Sequence, residues 1–490
     1  MSIVTRFPPS PTWYVHIWSL RTVLYNYLYA KKNNGKMLLR IEDTDRTRLV
    51  EGSVENMLFV LATVWLIPDE GPNNPGDKGP YFQSQRLDIY QKYVQDLITA
   101  DKAYYCFCSS ERLDTLRKEQ EELKLPTKYD GKCRYHTKEE VEANLKAGMP
   151  YTIRMKIPQN QKIVFEDMIR GKIEIPWKDI DDQVLMKSDW YPTYHLANVV
   201  DDHLMGVTHV IRGEEWVPST PKHILLYEAF GWQAPVFAHL PLLLGKDKKK
   251  LSKRMGDVSV ESYLEKWYPT EAILNYIALL GWNPKSTKEF FTMSELIEAF
   301  DLSQVHKAGA IFDIERLEWF SSKYIDTYTP EVIYDKLVTY LWRYDKSFLE
   351  TLQKTEKPFV LQVIAEVKWR MKKFSDFKEL TTFFFEEPSV DTSLFINEKM
   401  QLATMQDVKN ALIIWQAILA TSIKDVTTLE EIKNTFVEQI AKAEKKNGQI
   451  LWPIRVALSW AAFSPGALEL IAILGKKKSI ARIDKILKDL

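Results

Sequence analysis

The loop at residues 9–19 is the feature that most constrains what this chain can fold into. Pro9 and Pro11 punctuate it, and it joins an apolar segment at residues 3–7 to helical periodicity over residues 20–31. His16 precedes the helix, where an imidazole and the free amides of a helix N-terminus would meet phosphate groups. A strand, a loop and a helix in this order predict an α/β domain that holds a nucleotide.

Trp13 and Trp18 stand in this loop where a phosphate-binding loop needs residues without side chains. The composition carries the same anomaly, because the chain has 18 glycines and 15 tryptophans among 490 residues, whereas glycine usually makes up roughly 7% of a globular protein. Two interpretations stay open. Either the indoles block a nucleotide site, or some tryptophans in this sequence are glycines in the native protein.

Three further tryptophans stand at turns that favour glycine. Trp65 and Trp267 each follow a helical segment and precede a proline, and Trp190 follows Asp189 after an apolar strand. The residue just past a helix is commonly left-handed, and Asp-Gly is a strong hairpin signal. A bulky residue in that conformation costs about 1–2 kcal/mol. The turns therefore predict glycine at all three positions, and the alternative is that surface turns tolerate each tryptophan singly.

Charge and cysteine content bound the class of protein. The 66 basic and 66 acidic residues give no net charge, which argues against a protein that coats nucleic acid but leaves a local basic face open. The three cysteines lie between residues 106 and 133, too few for a disulfide framework, so a reducing compartment is expected. Neither a signal segment nor a membrane-spanning apolar run is present in the sequence, and we expect a soluble cytoplasmic protein.

The pattern of predicted elements changes once along the chain. Strands are predicted at residues 36–41, 151–157 and 162–165, helices at 54–64 and 84–101, and a strand, turn and helix at 207–230. Helical periodicity dominates from about residue 255 to the last residue, 490. An α/β unit that is interrupted by about 100 residues and then resumed predicts a nucleotide fold with an insertion, followed by an all-α region.

A second motif is the basic loop Lys248-Lys249-Lys250-Leu251-Ser252-Lys253-Arg254, which lies between Gly245 and Gly256. A charge run alone is more often solvated surface than a site. Together with the His16 loop, it indicates a second group of cations for phosphates.

The motifs, taken in order, resemble one family. They are Pro-Ser-Pro-Thr-x-x-x-His-Ile at residues 9–17, Arg-Ile-Glu-Asp-Thr-Asp at 40–45, Tyr-His-Leu-Ala-Asn-Val-Val-Asp-Asp-His at 194–203, Val-Ile-Arg-Gly-Glu-Glu-Trp at 210–216 and Lys-Leu-Ser-Lys-Arg at 250–254. The chain resembles the bacterial glutamyl-tRNA synthetases, which are class I aminoacyl-tRNA synthetases, from residue 5 to beyond residue 455.

The resemblance implies a role for each matching residue. His16, Lys250 and Lys253 would stabilise the phosphates of ATP during catalysis, and stabilising the charge that develops there usually contributes more to catalysis than any other effect. Positions that hold glutamate in the family are matched by Arg6, Ser10, Glu42, Tyr194, Asn198 and Arg212, and those that bind ATP by Thr12, His16, Glu215, Trp216, Leu251 and Lys253. An arginine grips a side-chain carboxylate with two donors, and Glu42 suits an α-amino group.

The resemblance also implies the architecture and the partners. We expect a Rossmann-like α/β catalytic domain at residues 1–88 and 194–244, an α+β acceptor-end insertion at 89–193, a stem-contact region at 245–329 and an all-α anticodon-binding region at 330–490. The last carries basic residues that suit RNA, among them Lys368, Arg370, Lys372, Lys373 and 476–478. The expected enzyme is a monomer that uses ATP with Mg²⁺, L-glutamate and tRNA(Glu), with tRNA(Gln) left open.

The departures from the family pattern are of one kind. Tryptophan replaces the family's glycine at Trp13, Trp18, Trp65, Trp190, Trp267 and Trp460, whereas Trp177, Trp342 and Trp369 are undecided. Our hypothesis is that the source organism reads UGA as glycine and that the sequence was translated with UGA as tryptophan. The alternative is a non-catalytic tRNA-binding paralogue whose ATP site is blocked by Trp13 and Trp18, because an indole at Trp18 brings about 150–250 Å² of surface into the space for adenine.

The cysteines predict a second site. Cys106, Cys108 and Cys133 are spaced as three thiolate ligands of zinc. Tyr129, Tyr135 and His136 are candidates for the fourth ligand, and the resemblance favours Tyr129. A structural zinc ion and three metal-free thiols both stay open.

Overall fold

The computed structural model describes residues 2–12, 14–251, 259–387, 392–423, 428–442, 446–461 and 463–489. It divides into two compact units, one formed by residues 1–264 and 273–314 and the other by residues 265–272 and 315–490. None of the described helices has both the length and the apolar run needed to cross a lipid bilayer.

The strands lie at β1 Val4–Phe7, β2 Lys36–Leu39, β3 Ala103–Cys106, β4 Thr152–Met155, β5 Lys162–Asp167, β6 Gly171–Pro176, β7 Val184–Met186, β8 His209–Gly213, β9 Val236–Leu240, β10 Leu243–Leu244 and β11 Ala310–Ile311. The helices of the first unit are α1 Ile17–Lys32, α2 Ser53–Thr63, α3 Leu87–Thr99, α4 Ser110–Glu122, α5 Lys138–Lys146, α6 Tyr194–Leu204, α7 Thr220–Phe230, α8 Val260–Glu265, α9 Thr270–Ala278 and α10 Met293–Ala299, of which α8 and α9 extend into the second unit.

The remaining helices are α11 Ile314–Thr327, α12 Pro330–Tyr344, α13 Lys346–Lys354, α14 Lys357–Val367, α15 Asp376–Phe385, α16 Met405–Ser422, α17 Leu429–Lys442, α18 Asn447–Ser459 and α19 Ala467–Asp489. They pack around a core of large apolar side chains that includes Trp415, Phe384 and Ile454. The prediction of an all-α region is confirmed for this part of the chain.

The first unit contains mixed sheets. Strands β1 and β2 pair in parallel, and β6, β5, β9 and β8 form a second sheet in which β5 and β8 each run parallel to β9. Strands β3, β4 and β7 form a separate antiparallel sheet within the expected insertion. The predicted α/β unit with an insertion is therefore confirmed. The hairpin of β5 and β6 belongs to the insertion in sequence but pairs with the sheet of the main unit.

Helix α1 connects β1 to β2 and supplies core residues that include Leu20, Val23 and Leu24. The return to β2 passes Gly35, where an added Cβ would lie 2.1 Å from the carbonyl oxygen of Ile3. Glycine at this position lets the two parallel strands pair, because any side chain would displace the backbone of the neighbouring chain segment.

Two expectations differ from the structure. The helical periodicity from residue 255 missed β11, which pairs in parallel with β10. A strand of two residues is too short to produce an alternating pattern. The helix predicted at residues 20–31 begins earlier, at Ile17, because His16 is its N-cap with extended backbone angles.

Four tryptophans have left-handed backbone conformations. Their φ angles are 59° at Trp65, 63° at Trp190, 53° at Trp267 and 54° at Trp460. Non-glycine residues rarely adopt positive φ, and bulky ones least of all. The left-handed turns predicted at the first three positions are confirmed. Trp18 is helical, and Trp13 lies outside the described residues.

Candidate functional site

A cavity of about 650 Å³ lies at the carboxyl ends of β1 and β8 and under the loop that precedes α1. Predicted residues of the glutamate and ATP sets line it together: Arg6, Ser10, Thr12, His16, Glu42, Tyr194, Arg212, Glu215 and Trp216. The loops that follow parallel strands commonly form such clefts in α/β folds. Segments far apart in the sequence thus meet around one space large enough for a small ligand.

The wall behind the cavity is a buried ion network. Arg6 Nε donates to both carboxylate oxygens of Asp202 at 3.2 Å, and Arg40 Nη1 donates to the same carboxylate at 2.7 Å. Asn198 Oδ1 accepts from Arg6 at 3.3 Å and from Arg40 at 3.2 Å. Asn198 therefore fixes the two guanidinium groups from behind the cavity rather than lining it.

A second carboxylate continues this network. Asp201 accepts from Arg86 Nε at 2.7 Å, from the Tyr90 hydroxyl at 2.7 Å and from Gln83 at 2.9 Å. Both aspartates lie on α6 between apolar residues, and both are fully buried. Buried charges need this kind of pairing, since an isolated one would be strongly destabilising.

Arg6 has one donor that the network does not use. Its Nη1 is buried and has no hydrogen-bond partner among the residues that the structure describes. Arg6 also lines the cavity. An unpaired guanidinium nitrogen is costly in a protein interior, so a ligand carboxylate that reached it would be strongly favoured.

Glu42 is the carboxylate of the cavity wall nearest this network. Arg40 Nη2 donates to its Oε1 at 3.1 Å. Burial raises the pKa of Glu42 to about 7, against the lowering effect of Arg40. A carboxylate with a raised pKa is stabilised in its charged form by an incoming cation such as an ammonium group.

Arg212 lies on β8 and is held by neutral groups. Its Nη1 donates to the Tyr194 hydroxyl at 3.1 Å, and its Nη2 donates to Thr220 Oγ1 at 2.9 Å. Its Nε and Nη2 also reach His239 Nε2 at 3.1 Å and His223 Nδ1 at 3.3 Å. Among the described residues no carboxylate contacts this buried cation, which leaves its charge available to an anionic ligand.

Trp18 crowds the part of the cavity where the sequence predicts ATP. The indole ring lies 5.9 Å from the His16 ring in an edge-on arrangement, and Lys250 Nζ lies 4.7 Å from the indole centroid. Trp18 Nε1 is buried without a hydrogen-bond partner among the described residues. The side chain therefore contacts both of the predicted phosphate-binding groups that the structure describes there. Leu251 follows Lys250 beside β10, and Lys253 lies outside the described residues.

The three cysteines form a compact cluster. Their sulfurs all lie within 4.8 Å of one another, and Cys108 Sγ is 3.4 Å from Cys133 Sγ. The Tyr129 hydroxyl lies 3.4 Å from Cys106 Sγ and 3.5 Å from Cys108 Sγ. Tetrahedral zinc with bonds of about 2.3 Å would place two sulfurs roughly 3.8 Å apart, a separation between the 3.4 Å of Cys108 and Cys133 and the 4.8 Å limit of the cluster.

Two arginines donate hydrogen bonds to sulfurs of the cluster. Arg154 Nε donates to Cys106 Sγ at 3.3 Å, and Arg112 Nη1 donates to Cys108 Sγ at 3.4 Å. The other two candidates for the fourth ligand point elsewhere, because Tyr135 is 73% exposed and His136 Nδ1 contacts Glu140 at 3.2 Å. The structure brings only Tyr129, of the three, to the sulfurs.

Several basic residues that were expected to face RNA have partners within the chain. Lys476 Nζ donates to the carbonyls of Ala420 and Ile423 at the end of α16. Lys478 Nζ donates to the carbonyl of Phe384, and Lys372 Nζ lies 2.6 Å from a Glu318 oxygen. Lysines near a helix end satisfy carbonyls that lack partners within the helix.

Sequence reasoning missed the partners that hold the predicted residues. It assigned no role to Arg40, Asp202, His223, His239 or Asp167. Asp201 and Asp202 could have been found, because two carboxylates between the apolar residues of a helix signal a buried network. His239 and Asp167 lie in separate strands with no motif, and only the pairing of β5 with β9 brings them together.

Comparisons with known proteins agree with this geometry. Residues 2–319 match the family of class I tRNA synthetases (E and Q), catalytic domain, and residues 333–487 match an anticodon binding domain. The glutamate–tRNA ligase of Clostridioides difficile is 43% identical over 498 aligned positions, covering 99% of this chain and 98% of the relative. That of Clostridium tetani is 45% identical, covering 98% and 96%.

A solved structure gives the same result in three dimensions. The crystal structure of the glutamate–tRNA synthetase from Elizabethkingia anophelis superposes with a TM-score of 0.87 at 36% identity and covers all of both chains. The family match spans well over half of this chain, and the relatives match it nearly end to end. The chain therefore belongs to the class I tRNA synthetases of the E and Q type.

Proposed function

We propose that this protein is a glutamate–tRNA ligase. The α-carboxylate of L-glutamate attacks the α-phosphorus of ATP, pyrophosphate leaves, and glutamyl-adenylate forms. A hydroxyl of the 3′-terminal ribose of tRNA then attacks the activated carbonyl, and AMP leaves. The glutamate–tRNA ligases that match nearly the whole chain support this reaction.

The arrangement of charges in the cavity is the observation that carries the proposal. Glutamate has two carboxylates and one ammonium group. The cavity presents to it the guanidinium groups of Arg6 and Arg212 and the carboxylate of Glu42, and Arg48 and Glu215 also line the cavity. Arg212, with the Tyr194 hydroxyl beside it, suits the side-chain carboxylate, and Arg6 offers its unpaired Nη1 to a substrate carboxylate. Glu42 suits the ammonium group. Paired charges of this kind specify an amino acid with an acidic side chain.

ATP, which enters as its Mg²⁺ complex, occupies the neighbouring part of the cavity in this proposal. His16, at the N-terminus of α1, and Lys250 stabilise the phosphates as charge develops on them. Lys253 has the same role by family resemblance. Trp18 contacts His16 and Lys250, so the tryptophan form of the chain binds ATP weakly and the glycine form binds it well.

The all-α unit reads the anticodon of tRNA(Glu) in this proposal, as the match to an anticodon binding domain supports. Whether tRNA(Gln) is also charged depends on anticodon contacts, and both tRNAs belong in the test below. We propose that the enzyme is a monomer. We also place it in the cytoplasm, where translation occurs and where its three thiols stay reduced.

We also propose that the cysteine cluster holds a structural zinc ion, with Cys106, Cys108, Cys133 and Tyr129 as its ligands. Bound zinc would cross-link β3 to the segment around Cys133 and stabilise the insertion. The two arginines that donate to the sulfurs support this, because they stabilise thiolates in a site whose three sulfur ligands alone would carry excess negative charge.

The test is an aminoacylation assay with two forms of the chain, one with glycine and one with tryptophan at positions 13, 18, 65, 190, 267 and 460. We expect the glycine form to attach radiolabelled glutamate to tRNA(Glu) transcripts and the tryptophan form to show a raised KM for ATP. A matched Arg212→Gln variant of the glycine form should lose glutamate charging but keep tRNA binding. If the glycine form is folded, binds tRNA and charges neither tRNA(Glu) nor tRNA(Gln), the non-catalytic alternative is correct.

A further inference from the structure

The buried cation Arg212 is linked to a carboxylate through one imidazole. His239 Nε2 lies 3.1 Å from Arg212 Nε, and His239 Nδ1 lies 2.6 Å from Asp167 Oδ2. All three side chains are buried. The Asp167 carboxylate therefore does not contact the guanidinium group of Arg212, because the imidazole of His239 lies between them.

The hydrogen bonds fix the protonation of the ring. Arg212 Nε can only donate, so His239 Nε2 accepts and its proton lies on Nδ1, facing Asp167. Burial lowers the pKa of His239 to about 4, against the raising effect of Asp167. The imidazole is thus neutral at physiological pH, which it must be to accept from a guanidinium.

Asp167 is itself held rigidly. Its Oδ1 accepts from the backbone amides of Ile169 at 3.0 Å and Arg170 at 2.8 Å, and its Oδ2 accepts from the amide of His239 at 3.1 Å. These bonds connect the end of β5 to β9. The carboxylate, the imidazole and the guanidinium therefore form a chain of fixed geometry that ends at the cavity.

We propose that Asp167 and His239 are positioning residues that orient Arg212 for the side-chain carboxylate of glutamate while leaving its charge unpaired. This deepens the proposed function and rests on it. A carboxylate in direct contact with Arg212 would compete with the substrate, whereas one relayed through a neutral ring offsets part of the burial cost of the cation and fixes its plane.

The test measures the Kd for L-glutamate by calorimetry and the Kd for tRNA(Glu) by filter binding, so that neither value depends on the ATP site. We expect Asp167→Asn and His239→Leu each to raise the glutamate Kd by about tenfold or more and to leave the tRNA Kd unchanged. His239→Gln keeps an acceptor for Arg212 and a donor for Asp167, so it should restore most of the affinity.

A matched control is Asp182→Asn. Asp182 is also a buried carboxylate, but it accepts from Arg134 at 2.8 Å and from the Tyr104 hydroxyl at 2.7 Å, away from the cavity. We expect it to lower the melting temperature without changing the glutamate Kd. If Asp167→Asn changes the glutamate Kd no more than Asp182→Asn does, the positioning role is wrong.

Arg212→Gln separates this inference from the proposed function. If that variant binds glutamate normally, the assignment of the substrate site itself fails. If it loses glutamate while Asp167→Asn and His239→Leu retain it, only the positioning role fails.

A second inference rests on different observations, the left-handed tryptophans. Trp65 follows α2 in a helix-ending turn in which Leu66 N donates to Leu61 O at 2.9 Å, and Trp190 lies in a turn closed by Lys187 N donating to Tyr191 O at 2.9 Å. Among the described residues, no tryptophan apart from Trp65, Trp190, Trp267 and Trp460 has a positive φ. At Trp65 and Trp190 the left-handed residue therefore lies within a turn closed by backbone hydrogen bonds.

We infer that these four positions are glycine in the native protein, encoded by UGA codons that the source organism reads as glycine. The same rule extends to Trp18, whose indole crowds the phosphate groups' site, and to Trp13. A bulky L-residue is disfavoured in the left-handed conformation at each of the four positions, and one decoding rule removes all four unfavourable conformations together.

Peptide mass spectrometry of the protein purified from its source, together with the codons of its gene, tests this inference. We expect UGA codons and glycine masses at positions 65, 190, 267 and 460, with tryptophan and UGG codons at Trp216, Trp232, Trp282 and Trp452 as the matched controls. Tryptophan masses or UGG codons at the four left-handed positions would overturn it. The residue and the codon at position 18 are determined in the same experiment and test only the extension of the rule to Trp18.

Discussion

At the scale of single residues, the two arginines Arg6 and Arg212, which line the cavity, are held from behind it in different ways. Among the described residues, Arg6 is paired with Asp202 and still has an unpaired Nη1, and Arg212 contacts only neutral groups. This arrangement leaves an unpaired donor on Arg6 and an unpaired charge on Arg212 beside the cavity. If glutamate binds here as proposed, its affinity depends on residues such as Asp202 and Asn198, which do not line the cavity.

Glu42 gives a prediction about pH. Burial raises its pKa to about 7, so the ionised fraction that can pair with an ammonium group increases as pH rises through that value. We expect the Kd for glutamate to fall by up to about tenfold between about pH 6 and about pH 8. Glu42→Gln should bind weakly at both pH values, and a variant that kept the full pH dependence would contradict the assignment.

The stability of the ligand-free protein should respond to the same group in the opposite sense. Folded Glu42 binds its proton more tightly than the unfolded chain does, so its contribution is present at low pH and is lost as pH rises toward 7.

Trp65 gives a prediction about backbone strain. Its side chain is 47% exposed and its φ is 59°. Both Trp65→Gly and Trp65→Ala remove the indole, but only glycine also removes the Cβ that disfavours this conformation. We expect the glycine variant to exceed the alanine variant in free energy of unfolding by about 1 kcal/mol. Chemical denaturation measures the difference, and equal stabilities would show that the left-handed turn is not strained.

The sequence predicted the residues of the cavity better than the residues that hold them. Arg6, Glu42, Tyr194 and Arg212 lie in motifs, and the structure brings them to one cavity. His239 and Asp167 were missed because their role arises from strand pairing between distant segments. Pairing of this kind is set by tertiary structure and leaves no local pattern in the chain.

At the scale of elements, the cysteine cluster ties β3 to the segment that carries Tyr129 and Cys133. Three sulfurs and a phenol hydroxyl meet there because a short strand and a loop converge, with few apolar side chains to hold them. A bound ion would take over the stabilising role that a larger hydrophobic core has in other parts of the first unit.

We therefore expect the purified protein to contain about one zinc ion per chain. Cys133→Ser should abolish zinc binding and lower the melting temperature, because the folded insertion would lose a cross-link. His136→Ala is the matched control and should keep its zinc, since His136 contacts Glu140 instead of the sulfurs. Zinc content by mass spectrometry and thermal melting are the measurements, and a metal-free native protein would contradict the zinc site.

Element prediction succeeded where periodicity was long. The helices of the second unit include α16, which has 18 residues, and their apolar stripes are visible in the sequence. Strands of two residues, such as β10 and β11, have no period to detect.

At the scale of the whole molecule, the absence of net charge does not show which basic residues are paired within the protein and which are available to RNA. The chain has equal numbers of basic and acidic residues, yet a protein that binds tRNA must neutralise phosphates at some part of its surface. Lysines such as Lys476 and Lys372 are engaged within the protein. The number of basic residues in the sequence therefore overstates how many cations are available to RNA.

Salt gives the corresponding prediction. Raising NaCl from about 50 mM to about 200 mM should weaken tRNA binding by at least tenfold, because phosphate contacts release counterions. Glutamate binding should change by less than about twofold, since buried charges are poorly screened. Filter binding and calorimetry on the same preparation give both values. If tRNA binding and glutamate binding depended equally on salt, phosphate contacts would not be the main source of the affinity for tRNA.

The pairing of β5 with β9 has a consequence for engineering chimaeras. A graft that exchanged residues 89–193 for the equivalent segment of another synthetase would look like the replacement of a peripheral cassette. It would also exchange Asp167, which faces His239 from within that segment. If Asp167 orients Arg212 as proposed, we expect such a hybrid to bind tRNA but to bind glutamate weakly unless the donor segment supplies a carboxylate at the end of its corresponding strand.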